Sequence, residues 1–402
     1  MSQWRFHTPD GVADILPDDC ARMREIESSI RQVFRRRGFA EIRTPGLEYY
    51  DVYATGRGLA PQEDLFKFFD AQGRILALRY DGTVPAARLA ATLLRDEAPP
   101  LRLSYVEPMF RYGEPGGIRQ REFTQAGVEL MGAASPEADA EVLCTAMEAL
   151  RAAGLQDFQV SVGQVAFFKG LREAWGLSAE EADLLSRLID SKEMVALEEM
   201  ADRIGLRGDD REALLQMPSL YGSYEVLDRM EALVGNPVSR DALSNLRGIL
   251  EILEDAGQLS AVSVDLGMLR SLDYYTGMIV KGFTYGIGYP ILSGGRYDNV
   301  VSEFGRTLSS TGFSIGVDRL MSALRRQGSP PAPFRPDVLL GAGPGRAARR
   351  AALLWADAAR AQGRTVARDV GGLSPDGLRA EAEARGIPEV RYATADGRVE
   401  EA

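Results

Sequence analysis

Residues 110–132 read FRYGEPGGIRQREFTQAGVELMG. From Phe123 to Met131 the stretch has the alternation of a strand: Gln125, Gly127 and Glu129 fall on one face, Thr124, Ala126, Val128 and Leu130 on the other. The second set is a core face. On the first, an amide and a carboxylate flank a glycine, which leaves room for a ligand to lie against the backbone. That suits a small molecule with an ammonium or N–H group, although spacing alone describes a solvated polar face equally well. The first half is a turn-rich segment carrying Arg111, Arg119 and Arg121. With Arg270 and Arg319 they could hold a polyanion. Taken singly, each is an ordinary surface or ion-pair residue.

Working outward, strand signals surround this stretch at Ala40–Arg43, Ile75–Arg79, Leu103–Pro108 and Met109–Tyr112, and everything from Pro45 to about residue 131 reads as strand-like. An amphipathic helix precedes them at 21–37, with Met23, Ile26, Ile30, Val33 and Phe34 at helical spacing and Gly38 as its cap. Another opens at Ser135-Pro136 and runs over 136–153. Residues 164–258 are helical in pattern, one helix opening with the capping box Ser178-Ala179-Glu180-Glu181. Strands return at Val262–Leu266, Met278–Phe283 and Tyr289–Leu292, followed by a helix over 317–325. Tyr274 and Tyr275 read as neighbours on a strand, one packed inward and the other offering its hydroxyl; core packing of both fits the pattern as well. A helical insert that leaves and rejoins one mainly antiparallel sheet is an α+β arrangement. Residues 1–326 form this domain, 327–333 a linker, and 334–402 a small βαβαβ unit. Its Gly341-Ala-Gly-Pro-Gly345 loop reads as a turn, because Arg346 stands where a dinucleotide fingerprint needs its third glycine.

Composition narrows the chemistry. Among 402 residues there is one histidine, His7, and there are two cysteines, Cys20 and Cys144. Histidine-based nucleophilic catalysis and a Cys/His zinc site are therefore not expected. Four lysines (Lys67, Lys169, Lys192 and Lys281) leave 43 arginines among 47 basic residues, and the net charge of −11 argues against a broad nucleic-acid or membrane-surface footprint. No run of apolar residues is long enough to span a bilayer and no secretory leader is legible, so a cytoplasmic location is expected.

In their order along the chain, these segments resemble those of histidyl-tRNA synthetase and its close relatives. Leu78–Thr83 is similar to the family's Leu-Arg-Pro-Glu-Gly-Thr, Phe110–Phe123 to motif 2 of class II synthetases, and Gly312–Leu320 to motif 3. Leu269–Tyr275 and Ser293–Asp298 resemble the two histidine-specific segments, and Gly38–Glu48 resembles motif 1, through which these proteins dimerise. The resemblance covers about residues 8–325. It implies a class II synthetase-like antiparallel sheet domain with a helical insertion, followed by a truncated anticodon-binding domain.

The family has one branch that charges tRNA and another, the regulatory subunits of ATP phosphoribosyltransferase, that does not. The departures favour the second. Motif 2 of a synthetase reads Phe-Arg-x-Glu, its glutamate contacting ATP; here Gly113 takes that place, and Glu114 comes one residue late. Pro-Glu has become Tyr80-Asp81, Gly277 stands where synthetases usually have arginine, and Arg119–Phe123 points the same way. The last 69 residues carry 11 arginines against 10 acidic residues, a poor grip for tRNA.

Carried over residue by residue, the resemblance implies a histidine pocket. Asp81, Thr83 and Gln125 would hold the α-ammonium and Arg111 the carboxylate side, with Glu129 and Tyr274 or Tyr275 on the imidazole. Arg270, which aligns with the arginine of amino-acid activation, joins that set. Arg111, Arg119, Arg121 and Arg319 would remain from an ATP site. No catalytic residue, metal or cofactor is expected. The implied partners are a short-form ATP phosphoribosyltransferase catalytic subunit, a second copy of the chain and free histidine, without membrane or tRNA. The expected role is non-catalytic: activating that subunit in the first step of histidine biosynthesis and relaying feedback inhibition by histidine. Retention of Arg111, Arg270 and Arg319 leaves open the other branch, a histidine–tRNA ligase activating histidine with ATP.

Overall fold

A computed structural model describes residues 3–54, 59–113, 120–269, 274–329 and 333–402. The chain opens with helix α1 (Pro17–Arg36), strands β1 (Ala40–Glu41), β2 (Leu47–Tyr49), β3 (Lys67–Phe69) and β4 (Ile75–Leu78), and helix α2 (Thr83–Ala91). Strands β5 (Leu101–Phe110) and β6 (Glu122–Met131), helix α3 (Pro136–Ala152) and strand β7 (Phe158–Gln164) follow. Next come helices α4 (Val165–Ala174), α5 (Ala179–Ser191), α6 (Met194–Arg203) and α7 (Gly208–Gln216), strand β8 (Tyr221–Gly222), and helices α8 (Tyr224–Leu233) and α9 (Pro237–Asp255). Strands β9 (Val262–Asp265), β10 (Met278–Thr284), β11 (Leu292–Arg296) and β12 (Ser310–Gly316) lead to helix α10 (Val317–Arg326). The remainder is β13 (Val338–Ala342), α11 (Arg346–Ala361), β14 (Val366–Arg368), α12 (Pro375–Arg385), β15 (Glu389–Ala393) and β16 (Val399–Glu401). Among the described residues no helix is long and apolar enough to cross a membrane.

The backbone separates into two units, residues 1–15 with 22–330, and 16–21 with 331–402. In the first, nine strands among the described residues form one sheet in the order β1-β5-β6-β12-β11-β10-β7-β9-β8. From β5 to β7 every pairing is antiparallel; β1 joins β5, and β9 joins β7, in parallel. The fold is α+β. Ala126, Val128 and Leu130 of β6 enter a core shared with Met23, Ile26, Ile30, Val33 and Phe34 of α1 and with α3. Phe34 meets Phe313 of β12 edge-on, ring centroids 5.8 Å apart. Each fully buried valine, leucine, isoleucine or phenylalanine of this core contributes about 1.5–3 kcal/mol. Gln125, Gly127 and Glu129 face the opposite side of the sheet, where the cavity lies.

Several elements differ from the sequence reading. Residues 83–91, read as part of a strand-like region, form α2; Pro85 sits in its first turn, where the missing N–H costs no hydrogen bond. The break expected at Pro108 is absent, and β5 runs unbroken to Phe110. Pro108 lies opposite Thr124, whose N–H donates to Asp318 Oδ2 at 2.7 Å, while Pro108 O accepts from Arg79; this pair makes no ladder bond, so proline removes none. The strand expected at Tyr289–Leu292 instead begins at Leu292 and contains the Gly294-Gly295 pair.

Two further features bear on function. Arg79, buried, donates from Nη1 to Glu107 Oε2 (2.7 Å) and to Thr44 O (2.8 Å), tying the chain after β1 to β5. Strands β2, β4 and β3 form a small antiparallel sheet in that order. One face of it carries Leu47, Tyr49, Phe68, Leu76 and Leu78, with Tyr49 and Phe68 both aligned on Leu76; Leu47, Tyr49 and Phe68 are exposed.

In the second unit the strands run β14-β13-β15-β16, the first three parallel. Consecutive residues of β13 serve opposite faces: Leu340 packs with Ala348, Ala352 and Ala356 of α11, Leu339 with Leu378 and Ala382 of α12. A Cβ on Gly341 would collide with Leu378, so the Gly-rich loop begins with a packing requirement. Strand β16, absent from the sequence reading, pairs antiparallel to β15.

Candidate functional site

The side of the main sheet away from α1 bounds a cavity of about 1420 Å³, floored by β6, β11 and β12 and roofed in part by α5. The floor is shaped by two glycines. A Cβ on Gly127 would lie 2.5 Å from Tyr105 Oη and 2.7 Å from Phe313 O; one on Gly312 would collide with the Glu129 carboxylate. These vacancies let Tyr105, on β5, lie across β6 and donate to Glu129 Oε1 at 3.2 Å. Tyr297, just after β11, donates to the other carboxylate oxygen. Glu129 is 1% exposed. Burial pushes its pKa up to about 8, and the hydroxyls of Tyr297, Thr83 and Tyr105 offset this only in part.

Around the floor stand the groups at the start of α2 and the end of β5. Asp81 accepts from Val84 N, in the first turn of α2, at 3.0 Å. Burial raises its pKa too, against the pull of that N–H and of Arg111. Arg111 donates from Nε to Tyr80 O at 3.0 Å, and its guanidinium lies 4.2 Å from the centroid of the Tyr80 ring and 5.1 Å from that of Phe123. Gln125 lines the cavity and is 8% exposed, yet its Oε1 has no hydrogen-bond partner among the described residues. A buried acceptor left unpaired costs about 1–3 kcal/mol unless something donates to it.

The structure therefore gathers Asp81, Thr83, Arg111, Gln125, Tyr274 and Tyr275 in the wall of one cavity. Glu129 is not in the wall; it lies behind Tyr297, to which it is hydrogen-bonded. The opposed orientation expected for Tyr274 and Tyr275 is corrected: β10 starts only at Met278, the two tyrosines lie in the preceding turn, and both reach the cavity, rings edge-on at 5.0 Å. Lys169 of α4 donates to Tyr275 O at 2.8 Å and holds that turn to the helix. Of the arginines assigned to a remnant ATP site, Arg121 lies over the Tyr112 ring and off the cavity. Arg319 reaches the cavity but donates to Pro290 O at 2.8 Å and lies over the Tyr289 ring. Arg119 and Arg270 fall outside the described residues. At Gly113 a Cβ would lie 2.9 Å from Asp64 Oδ1, so the Asp64 carboxylate occupies ground that a side chain at 113 would need.

Sequence reasoning missed Tyr80, Tyr105 and Tyr297. The signal for Tyr105 was the alternation of Leu103, Tyr105 and Glu107 on the strand next to Gly127. For Tyr297 it was the residue after Gly294-Gly295-Arg296. Nothing in α5 marked Asp183, Ser186 and Arg187 as lining the mouth. Among the described residues no cluster of His, Cys, Asp and Glu could hold a metal. The lining offers the Asp81 carboxylate and the Gln125 amide together with the Arg111 guanidinium, which suits a small zwitterion bearing further N–H groups.

The model of histidyl-tRNA synthetase matches residues 11–320. The ATP phosphoribosyltransferase regulatory subunit of Acetivibrio thermocellus is 52% identical over 327 residues, covering 81% of this chain and 78% of that one. That of Symbiobacterium thermophilum is 43% identical over 387 residues and 96% of each chain. Among solved structures, an ATP phosphoribosyltransferase regulatory subunit/histidyl-tRNA synthetase from Bacillus halodurans superposes with a TM-score of 0.87 at 31% identity, covering 98% of this chain and 100% of that one.

Proposed function

The chain belongs to the histidyl-tRNA synthetase family, on the branch of ATP phosphoribosyltransferase regulatory subunits, and from that premise we propose that it binds free histidine in the cavity and thereby sets the activity of a separate short-form catalytic subunit. The observation that carries the histidine reading is Gln125, which lines the same cavity as Asp81 and Arg111 and whose buried Oε1 has no hydrogen-bond partner among the described residues. An α-ammonium satisfies Gln125, Asp81 and Thr83 together, and the carboxylate meets Arg111. The imidazole falls toward Tyr274, Tyr275 and the hydroxyl–carboxyl cluster of Tyr297 and Glu129, where a ring N–H finds acceptors.

In this reading the chain transfers no phosphoribosyl group itself. Feedback inhibition requires that histidine bind unequally to the active and inhibited assemblies, since equal affinity shifts no equilibrium. Adenylate chemistry is disfavoured by Gly113, by Arg121 lying off the cavity and by Arg319 being engaged at Pro290. The near-neutral balance of the last 69 residues disfavours tRNA. A homodimer through residues 38–48 fits the apolar sheet face that begins at Leu47.

Two measurements test this. Calorimetry should show L-histidine binding to the isolated chain and its loss in Gln125→Leu. The chain should stimulate a short-form ATP phosphoribosyltransferase subunit, with histidine reversing the effect. Histidine-dependent exchange of pyrophosphate into ATP at a ligase-like rate would overturn the reading.

A further inference from the structure

We infer that Tyr80 is a positioning residue for carboxylate recognition: with Phe123 it clamps the Arg111 guanidinium, so that the pocket tells an amino acid from the corresponding amino alcohol. The inference rests on the histidine reading and adds to it a determinant of ligand class. Arg111 has a long, flexible side chain, and an arginine that samples several rotamers makes a poor carboxylate receptor. Three contacts remove that freedom here. The Tyr80 ring covers the guanidinium at 4.2 Å and the Phe123 ring lies at 5.1 Å. Tyr80 O holds Nε at 3.0 Å, which is the one side-chain hydrogen bond of Arg111 among the described residues. Among the described residues nothing bonds the two Nη groups, which leaves them for an incoming anion, in the fork geometry that fits a carboxylate. Asp64 and Asp81 flank the guanidinium without hydrogen-bonding to it among the described residues.

Tyr80 is itself fixed. Its N–H donates to Tyr53 Oη at 3.1 Å, and the Tyr53 ring, wholly buried, meets it edge-on with centroids 6.4 Å apart. Neither Tyr53 nor Phe123 can take over the face that Tyr80 covers, because each is held in its own core cluster. Rigidity thus passes from the core through Tyr53 to Tyr80 and then to Arg111. An aromatic ring at position 80 supplies what an aliphatic residue there could not, a face for the cation.

The test compares L-histidine with L-histidinol, whose carboxylate is replaced by a hydroxymethyl group, by calorimetry on the full chain. Tyr80→Ala should weaken histidine by roughly 5- to 30-fold, the span of one desolvated cation–π contact, and histidinol by less than about 2-fold. Tyr80→Phe should keep both affinities, since the ring is what acts. In an Arg111→Ala background, Tyr80→Ala should cost histidine nothing further. Retained histidinol binding also reports that the variant is folded. Equal losses for both ligands, or none for either, would overturn the inference alone. Absence of histidine binding to the unmodified chain would overturn the histidine reading and this inference with it.

Discussion

Tyr105 reaches Glu129 through the space that a side chain at position 127 would fill: its hydroxyl donates at 3.2 Å to a carboxylate two residues along the neighbouring strand. The contact joins β5 to the floor strand β6 and depends on Gly127 having no Cβ. Gly127→Ala should therefore displace the tyrosine, and the new methyl cannot escape the other way because Phe313 O lies 2.7 Å from it. A loss of about 1–3 kcal/mol, the usual cost of overpacking, is expected in urea unfolding, together with weakened histidine binding.

Glu129 makes stability depend on pH with a definite sign. Its pKa, about 8 in the folded chain, lies above the ordinary 4.5, so the folded state holds its proton more tightly. This contribution is fully present below the ordinary value and is lost as pH rises through the folded value. Between the two, the slope approaches about 1.4 kcal/mol per pH unit. Glu129→Gln, which cannot ionise, should abolish that component. Urea unfolding of both proteins from pH 5 to pH 9 should show the unmodified chain losing stability relative to the variant as pH increases.

Arg79 and Glu107 should behave as a buried pair. Arg79→Met leaves the Glu107 carboxylate in the interior with only the N–H and hydroxyl of Thr44 for partners among the described residues. A loss of about 3–5 kcal/mol is expected from removing one partner. Adding Glu107→Leu to Arg79→Met should recover part of that loss rather than deepen it, which a double-mutant cycle by chemical denaturation would measure.

The apolar face of the small sheet predicts the assembly state. Placing charge at its centre with Tyr49→Asp and Phe68→Asp should shift sedimentation from dimer to monomer while leaving histidine affinity within about 2-fold, since neither side chain lines the cavity. A sedimentation profile unchanged by the two substitutions would place the interface elsewhere.

The floor of the site was legible because β6 is buried on both sides for different reasons. Alternation alone separates Ala126, Val128 and Leu130, which pack on helices, from Gln125, Gly127 and Glu129, which do not. The walls were harder to read. Tyr274 and Tyr275 lie before their strand, in a turn whose shape depends on Lys169, more than a hundred residues earlier in the chain. Helix α2 was hidden by its brevity and by the strand signal leading into it. Pro108 looked like a break because nothing local says which edge of a strand is unpaired. The misses at the tyrosines and at Pro108 involve contacts distant in sequence, to which local periodicity is blind.

The glycine floor also bears on how such a pocket can diverge. A Cβ on Gly127, Gly294 or Gly312 would strike main-chain oxygens of the adjoining strand, those of Phe313, Gly312 and Val128 respectively, and main chain within a paired sheet cannot step aside. Mutation at these positions is a dead end for a lineage seeking a new ligand. The accessible paths run through Tyr80, Asp81 and Tyr274, which line the cavity from outside the paired strands. A family built on this floor would inherit its depth and outline unchanged while exchanging the groups around the opening, which is where Tyr80-Asp81 departs from the synthetases' Pro-Glu.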